Sequence, residues 1–448
     1  MTRPISRGRF DIIAGYSRTP AIYRIAKEVA WFESDSVEVV GTVIVDLDGE
    51  YSGVVLAPDL AGRYRWVTQT AFASSQVLAE RLLVASIADT CRDFDRMRIQ
   101  GDEAAPVDFF TPVRKSSVLH PTFKMLSGDE SFVAARRVVE LMMRWYRDQD
   151  GNFVEQFQTA GFDARIWELY LFATLIEAGF AIEQPRPAPD FKAIGVDGSF
   201  CVEATTLNPS QDGKAAPRPS INSSAQAIDA YLQHYLPIRF AGPLLGKLGK
   251  RYWEHPEAGG LPLAFAIQDF HDALSMTYSV TPLSVYLYGL AFDETRDERG
   301  RLRRSVTPIS HHTWGTKKVE SGFFNLPEAE HVSAVLFNGA GTIAKFNRMG
   351  VATGFGSDKV DVVHAGVRLV GEPPTPTKFS ATVASGYEEA WIDGLNVFHN
   401  PQAVYPLDPA LLPGAAHHRL VAGRIESMVP AHHLMSSQTQ TLLRRPRS

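Results

Sequence analysis

Residues 189–206 read PDFKAIGVDGSFCVEATT and carry two carboxylates, Asp190 and Glu203, on either side of a short turn. Strand side chains alternate between faces, so if Val202 and Ala204 face one side, Glu203 and Thr205 share the other. Two adjacent antiparallel strands that each offer one acid at the same end can hold a divalent cation between them. Hard oxygen donors select Mg²⁺ or Mn²⁺. A third acid, Glu168, lies on the preceding helical segment, ahead of Gly179. It is expected to turn its carboxylate toward the same strand ends, so that three acids converge on one metal. The run FCVEATTL interrupts apolar and hydroxyl residues with a single ionisable one, and a buried carboxylate is costly unless paired or metal-bound. The bland alternatives are that Asp190 only closes a turn behind Pro189 and that Glu203 sits on the surface of an edge strand.

The elements that must position these acids follow from periodicity. DARIWELYLFATLIEAGF has helical spacing, is expected as an amphipathic helix, and stops at Gly179 before a short strand. Two strands around the turn come next, then helical pieces ending in GPLLGKLGKRYWEHP, then the apolar strand LPLAFAIQDF. Helix, strand, strand, strand, helix, strand is the order of an α/β domain.

At this point the chain resembles the PD-(D/E)XK nuclease superfamily, whose fold is that of many restriction enzymes. The resemblance rests on WELYLFATLIEAGF, PDF and CVEATT, with a lysine-bearing helix and LPLAFAIQDF behind them. It spans residues 165–270, about a quarter of the chain. It implies a restriction-endonuclease-like core of mixed sheet flanked by helices, with Glu168, Asp190 and Glu203 as catalytic metal ligands. The resemblance also implies Mg²⁺ or Mn²⁺, a nucleic-acid substrate (DNA or RNA), and a place in restriction or phage defence. Thr205 stands where the family usually has lysine, and a hydroxyl cannot supply a cation. Lys192, two residues after Asp190, or Lys247 and Lys250 on the covering helix are the candidate replacements, and Gln268 in the next strand is a candidate for orienting the water. The other reading is an inactive nuclease-like domain that binds nucleic acid or a protein partner.

The rest of the chain sets the frame. A formal net charge of -5 over 448 residues excludes a polycation that coats nucleic acid, so any such contact must be a local groove. Lys247, Lys250 and Arg251, interleaved with aromatics in LGKRYWEHP, are the residues expected to meet a phosphate backbone, while Trp253 packs. Two cysteines make neither a disulfide framework nor a cysteine zinc site, and the start MTRPISRGRF lacks a secretory apolar region. A cytoplasmic protein without a membrane span is expected, and an oligomer is compatible with the sequence.

Three regions are expected. Residues 1–125 form a β-rich recognition or regulatory domain with a hairpin at Asp48-Gly49, 126–345 the nuclease-like domain, and 346–448 an extension packed on the core. FNGAGTIAKFNRMG reads as a hairpin turn and not a phosphate loop. FHNPQAVYPLDPALLP reads as a surface segment, and the tail SSQTQTLLRRPRS as frayed. ETRDERGRLRRS, with Arg301, Arg303 and Arg304, reads as a solvated charged loop.

Overall fold

The computed structural model describes residues 1–148, 151–210, 217–220, 222–296 and 302–444. The alternating apolar residues around Asp48-Gly49 form the expected platform, an antiparallel sheet ordered Thr2–Pro4, Ala26–Ser34, Val40–Asp46, Tyr51–Pro58, Tyr64–Gln69. The helix Gln76–Arg92 lies on it, its hydroxyl cap Ser75 accepting from Leu78 N–H. It comes close because two strand positions are glycine: a Cβ at Gly41 or Gly53 would meet Leu83 at 2.7 or 2.8 Å.

The centre is a mixed sheet of eight strands flanked by helices. From edge to edge it runs Arg424–Met428, Ala416–Val421, Asn396–His399, Ala334–Phe337, Leu263–Asp269, Ser199–Leu207, Phe191–Ile194, Ala181–Glu183. Ser199–Leu207, Leu263–Asp269 and Ala334–Phe337 run parallel, and the two strands beyond Ser199 are antiparallel to their neighbours. The two-residue period sorts the inner strands into two cores. Val202, Ala204, Ala264 and Ala266 meet Trp167 and Tyr170 of the helix Phe162–Glu177. Leu263, Phe265 and Ile267 meet Phe240 and Leu244 of the helix Leu236–Leu248.

Several expectations change. The helix Phe162–Glu177 is not amphipathic: residues Ile166 through Leu175 are all buried, so it is covered around its circumference. The boundary at 345 cuts through the central sheet, because Asn396–His399, Ala416–Val421 and Arg424–Met428 all belong to it. One core cluster accordingly runs from Phe10 to Ala415. FHNPQ is therefore not simply surface, since its first residues form a buried strand. Residues Ile343–Ala352 are helix and not a hairpin turn; Gly341 before them passes so close to Trp167 that a Cβ would lie 2.8 Å from its ring. Most of the tail is not frayed, as Leu434–Leu443 pairs with Val360–Val370. The hairpin Leu290–Arg296 with Leu302–Pro308 brackets the charged run, of which Arg301 lies outside the described residues, as do the side chains of Arg303 and Arg304. Among the described residues no helix is long and apolar enough to cross a membrane.

Candidate active site

Phe191 pairs with Val202 and Lys192 with Cys201. Run one residue further, this antiparallel register sets Asp190 opposite Glu203, where facing side chains start about 5 Å apart. The backbone ties the two acids reciprocally. Asp190 N–H donates to Glu203 Oε2 at 3.1 Å, and Ala204 N–H donates to Asp190 Oδ2 at 2.7 Å. Glu203 is only 4% exposed. Burial, then the charges of Glu203 and Glu168, push the Asp190 carboxyl up to about 8, against the opposing pull of Lys247. The protonated form of Asp190 is thereby favoured.

Glu168 projects from the helix Phe162–Glu177 and is satisfied locally. Its Oε2 accepts from the Tyr146 hydroxyl at 2.8 Å and from Arg165 Nη1 at 2.5 Å. Burial raises its pKa, and Arg165 and the Tyr146 bond oppose the rise. Glu168 is thus close enough to perturb Asp190, yet one of its oxygens is already engaged. Among the described residues no group of three or more His, Cys, Asp or Glu is arranged to hold an ion. The structure brings together a pair, Asp190 and Glu203, with Glu168 as its charged neighbour.

Of the lysine candidates, Lys247 is the one that reaches the cluster. Near the end of the helix Leu236–Leu248, its Nζ bonds to Glu203 Oε1. Lys192 does not: although cross-strand from Cys201, its Nζ turns to Glu257 at 3.1 Å and Glu183 at 4.0 Å. Gln268 is also misassigned. It pairs with Thr206, so the two-residue period puts it on the sheet face opposite Glu203, where its Oε1 accepts from Asp269 N–H. Thr205 shares the Glu203 face and is half-buried, two positions along the strand.

The expected phosphate-contacting trio divides. Lys247 is committed to Glu203, and Arg251, at φ 52°, is paired at 2.8 Å with both Glu254 and Glu328. Lys250 is exposed, its Nζ 5.9 Å from the Tyr252 ring. Trp253 packs as expected, stacked on His331.

Three residues of the site were not singled out from sequence: Tyr146, Arg165 and Tyr252. Arg165 was legible, because a position three residues before Glu168 on a helix is its neighbour. Tyr252 packs edge-on against Phe265, the residue opposite Glu203, and its buried hydroxyl faces the Glu203 carboxylate without a hydrogen bond of regular geometry among the described residues. Burial and the Glu203 carboxylate push its pKa up.

The residues that could hold a small hard cation are Asp190 and Glu203, with Glu203 Oε1 and Oε2 at present engaged by Lys247 and by Asp190 N–H. Mg²⁺ is commonly held by one or two carboxylates together with substrate phosphates, and Asp190 with Glu203 is such a donor set. Three acids stand against Lys247 and Arg165, an excess of negative charge that adds to burial in raising the Asp190 carboxyl. No protein-family model matches this chain, and no curated protein and no solved structure is detectably similar to it. The case for an activity accordingly rests on this geometry.

Proposed function

We propose that this chain is a metal-dependent nuclease hydrolysing phosphodiester bonds of DNA or RNA, of the kind that serves restriction or phage defence. The observation that carries the reading is the Asp190–Glu203 pair, a half-buried acid at the start of one strand tied to a buried acid on the next, with a lysine from a covering helix bonded to Glu203. A bound Mg²⁺ or Mn²⁺ would supply Lewis-acid polarisation of the scissile phosphate and a lowered pKa for a bound water. Asp190 and Glu203 are the residues to hold it. Asp190 gives up its proton when they do so. Lys247 supplies the cationic group that position 205 lacks, at the Glu203 carboxylate, where it can orient a water and offset developing negative charge. Glu168, fixed by Tyr146 and Arg165, holds the charge balance around Asp190.

A second reading, a nuclease-like domain that binds nucleic acid or a protein without cutting, is favoured by the engagement of Glu168 with Tyr146 and Arg165. Cleavage assays with Mg²⁺ and Mn²⁺ on single- and double-stranded DNA and RNA separate the two. Under the nuclease reading, wild type cleaves at least one of these substrates, and Asp190→Ala and Glu203→Ala each abolish divalent-dependent cleavage while remaining folded. Cleavage undiminished in both variants overturns the site, and no cleavage by wild type leaves the binding reading.

A further inference from the structure

A cleft of about 460 Å³ opens beside Asp190, lined by Arg147, Arg165, Arg186, Asp148 and Phe153 among others. Its lining carries three arginines against two aspartates, in a chain whose net charge is -5. This is the groove that the overall charge required any nucleic-acid contact to have.

The arginines differ in what they have left to give. Arg165 is occupied, with Nη1 on Glu168 and Nε on Gln156 Oε1 at 3.0 Å. Arg147 is exposed, and its backbone N–H donates to Gln184 Oε1 at 3.0 Å. Its guanidinium has no hydrogen-bond or ion-pair partner among the described residues. A guanidinium fork presents parallel N–H donors that match two oxygens of one phosphate. The volume falls within the roughly 300–1,000 Å³ that encloses a small ligand. That suits a nucleotide unit of a single strand and not a double helix.

We propose that this cleft seats the phosphate next to the scissile one in a single nucleic-acid strand, with Arg147 as its ligand and Asp190 as the wall shared with the reaction centre. The assignment of Asp190 to a reaction centre rests on the nuclease reading; the binding itself does not need hydrolysis. Arg147 then sets affinity and register of the strand, and the acid pair acts on the phosphate beyond it.

The test is fluorescence anisotropy of full-length protein with a labelled single strand of about 12 nucleotides, as DNA and as RNA, with EDTA present so that nothing turns over. Arg147→Ala is expected to weaken binding about tenfold and to reduce the slope of log affinity against log salt by about 0.7, the value for one phosphate contact on a single strand. Arg147→Lys should fall between, since it keeps the charge and loses the fork. Arg96→Ala, at an exposed arginine paired with Asp93, should bind like wild type. Wild-type affinity and salt slope in Arg147→Ala overturn the proposal, as does a wild-type protein that binds no strand. Arg147-dependent binding without cleavage in any divalent metal sinks the nuclease reading and leaves the cleft standing. Cleavage with an unchanged KM in Arg147→Ala sinks the cleft and leaves the nuclease.

Discussion

The ammonium of Lys247 is bonded to the carboxylate of Glu203, which lies 44 positions earlier in the chain. This ion pair is nearly enclosed, with side-chain exposures of 18% and 5%. Removing one partner of a buried pair leaves the other charge uncompensated, which costs about 3 kcal/mol. Lys247→Met is therefore expected to lower stability by about that amount near pH 7. Added Mg²⁺ or Mn²⁺ should raise the melting temperature of Lys247→Met more than that of wild type, because no ammonium competes for Glu203. Calorimetry with and without metal checks both. A variant as stable as wild type in EDTA would break the assigned pair.

The proton on Asp190 makes both stability and metal affinity depend on pH. A carboxyl with pKa about 8 in the fold and about 3.9 unfolded leaves the native state binding more protons between those values. Stability conferred by that proton is complete below about pH 4, declines as pH rises toward 8, and is flat above. Asp190→Asn keeps an acceptor for Ala204 N–H but cannot ionise. It should match wild type near pH 4 and be more stable by at least about 1 kcal/mol at pH 8 to 9. Denaturant titrations across this range read the difference, and parallel curves for the two proteins would refute the assignment.

Metal uptake shares the origin. Binding must displace the Asp190 proton, so Mn²⁺ affinity should climb with pH up to about 8 and level off beyond. Isothermal titration in buffers of different ionisation enthalpy should register close to one proton released per ion at pH 7. Zero release would mean that Asp190 is not a ligand.

Tyr252 allows a structural role to be told from a functional one. A buried hydroxyl without a partner costs about 1 kcal/mol or more, so Tyr252→Phe should be as stable as wild type or more so. If that hydroxyl meets the water or phosphate at Glu203, kcat should nevertheless fall about tenfold, equivalent to about 1.4 kcal/mol of barrier, with KM little changed. Equal kcat in the two proteins would assign Tyr252 to packing alone.

Elements with strong local signals are legible in the amino-acid sequence. The Asp48-Gly49 hairpin follows from alternation around a glycine that tolerates positive φ, the helix closed by Gly179 from a long apolar run, and the strand around Phe265 from an apolar run of strand length. Short strands are harder. Asn396–His399 contains a polar residue at each end and is followed by Asn400-Pro401, so its local pattern resembles loop; only pairing on both sides makes it a buried strand.

Within the site, sequence alone determined the candidates Asp190 and Glu203, because a single acid interrupts the apolar and hydroxyl run FCVEATTL and a second stands across a short turn from it. Their adjacency was also accessible, since a tight turn between two strands constrains the register. Which cation answers them was not. Lys192 is near in sequence but turned to Glu257, while Lys247 reaches Glu203 because a separate helix packs over Phe265 and Ile267. Gln268 failed for a related reason: one residue of register moves a strand side chain to the other face. Local pattern dictates which faces are apolar and where acids stand. The partner of each charge is chosen by long-range packing, and that choice, through burial and neighbouring charge, is what raises the Asp190 carboxyl.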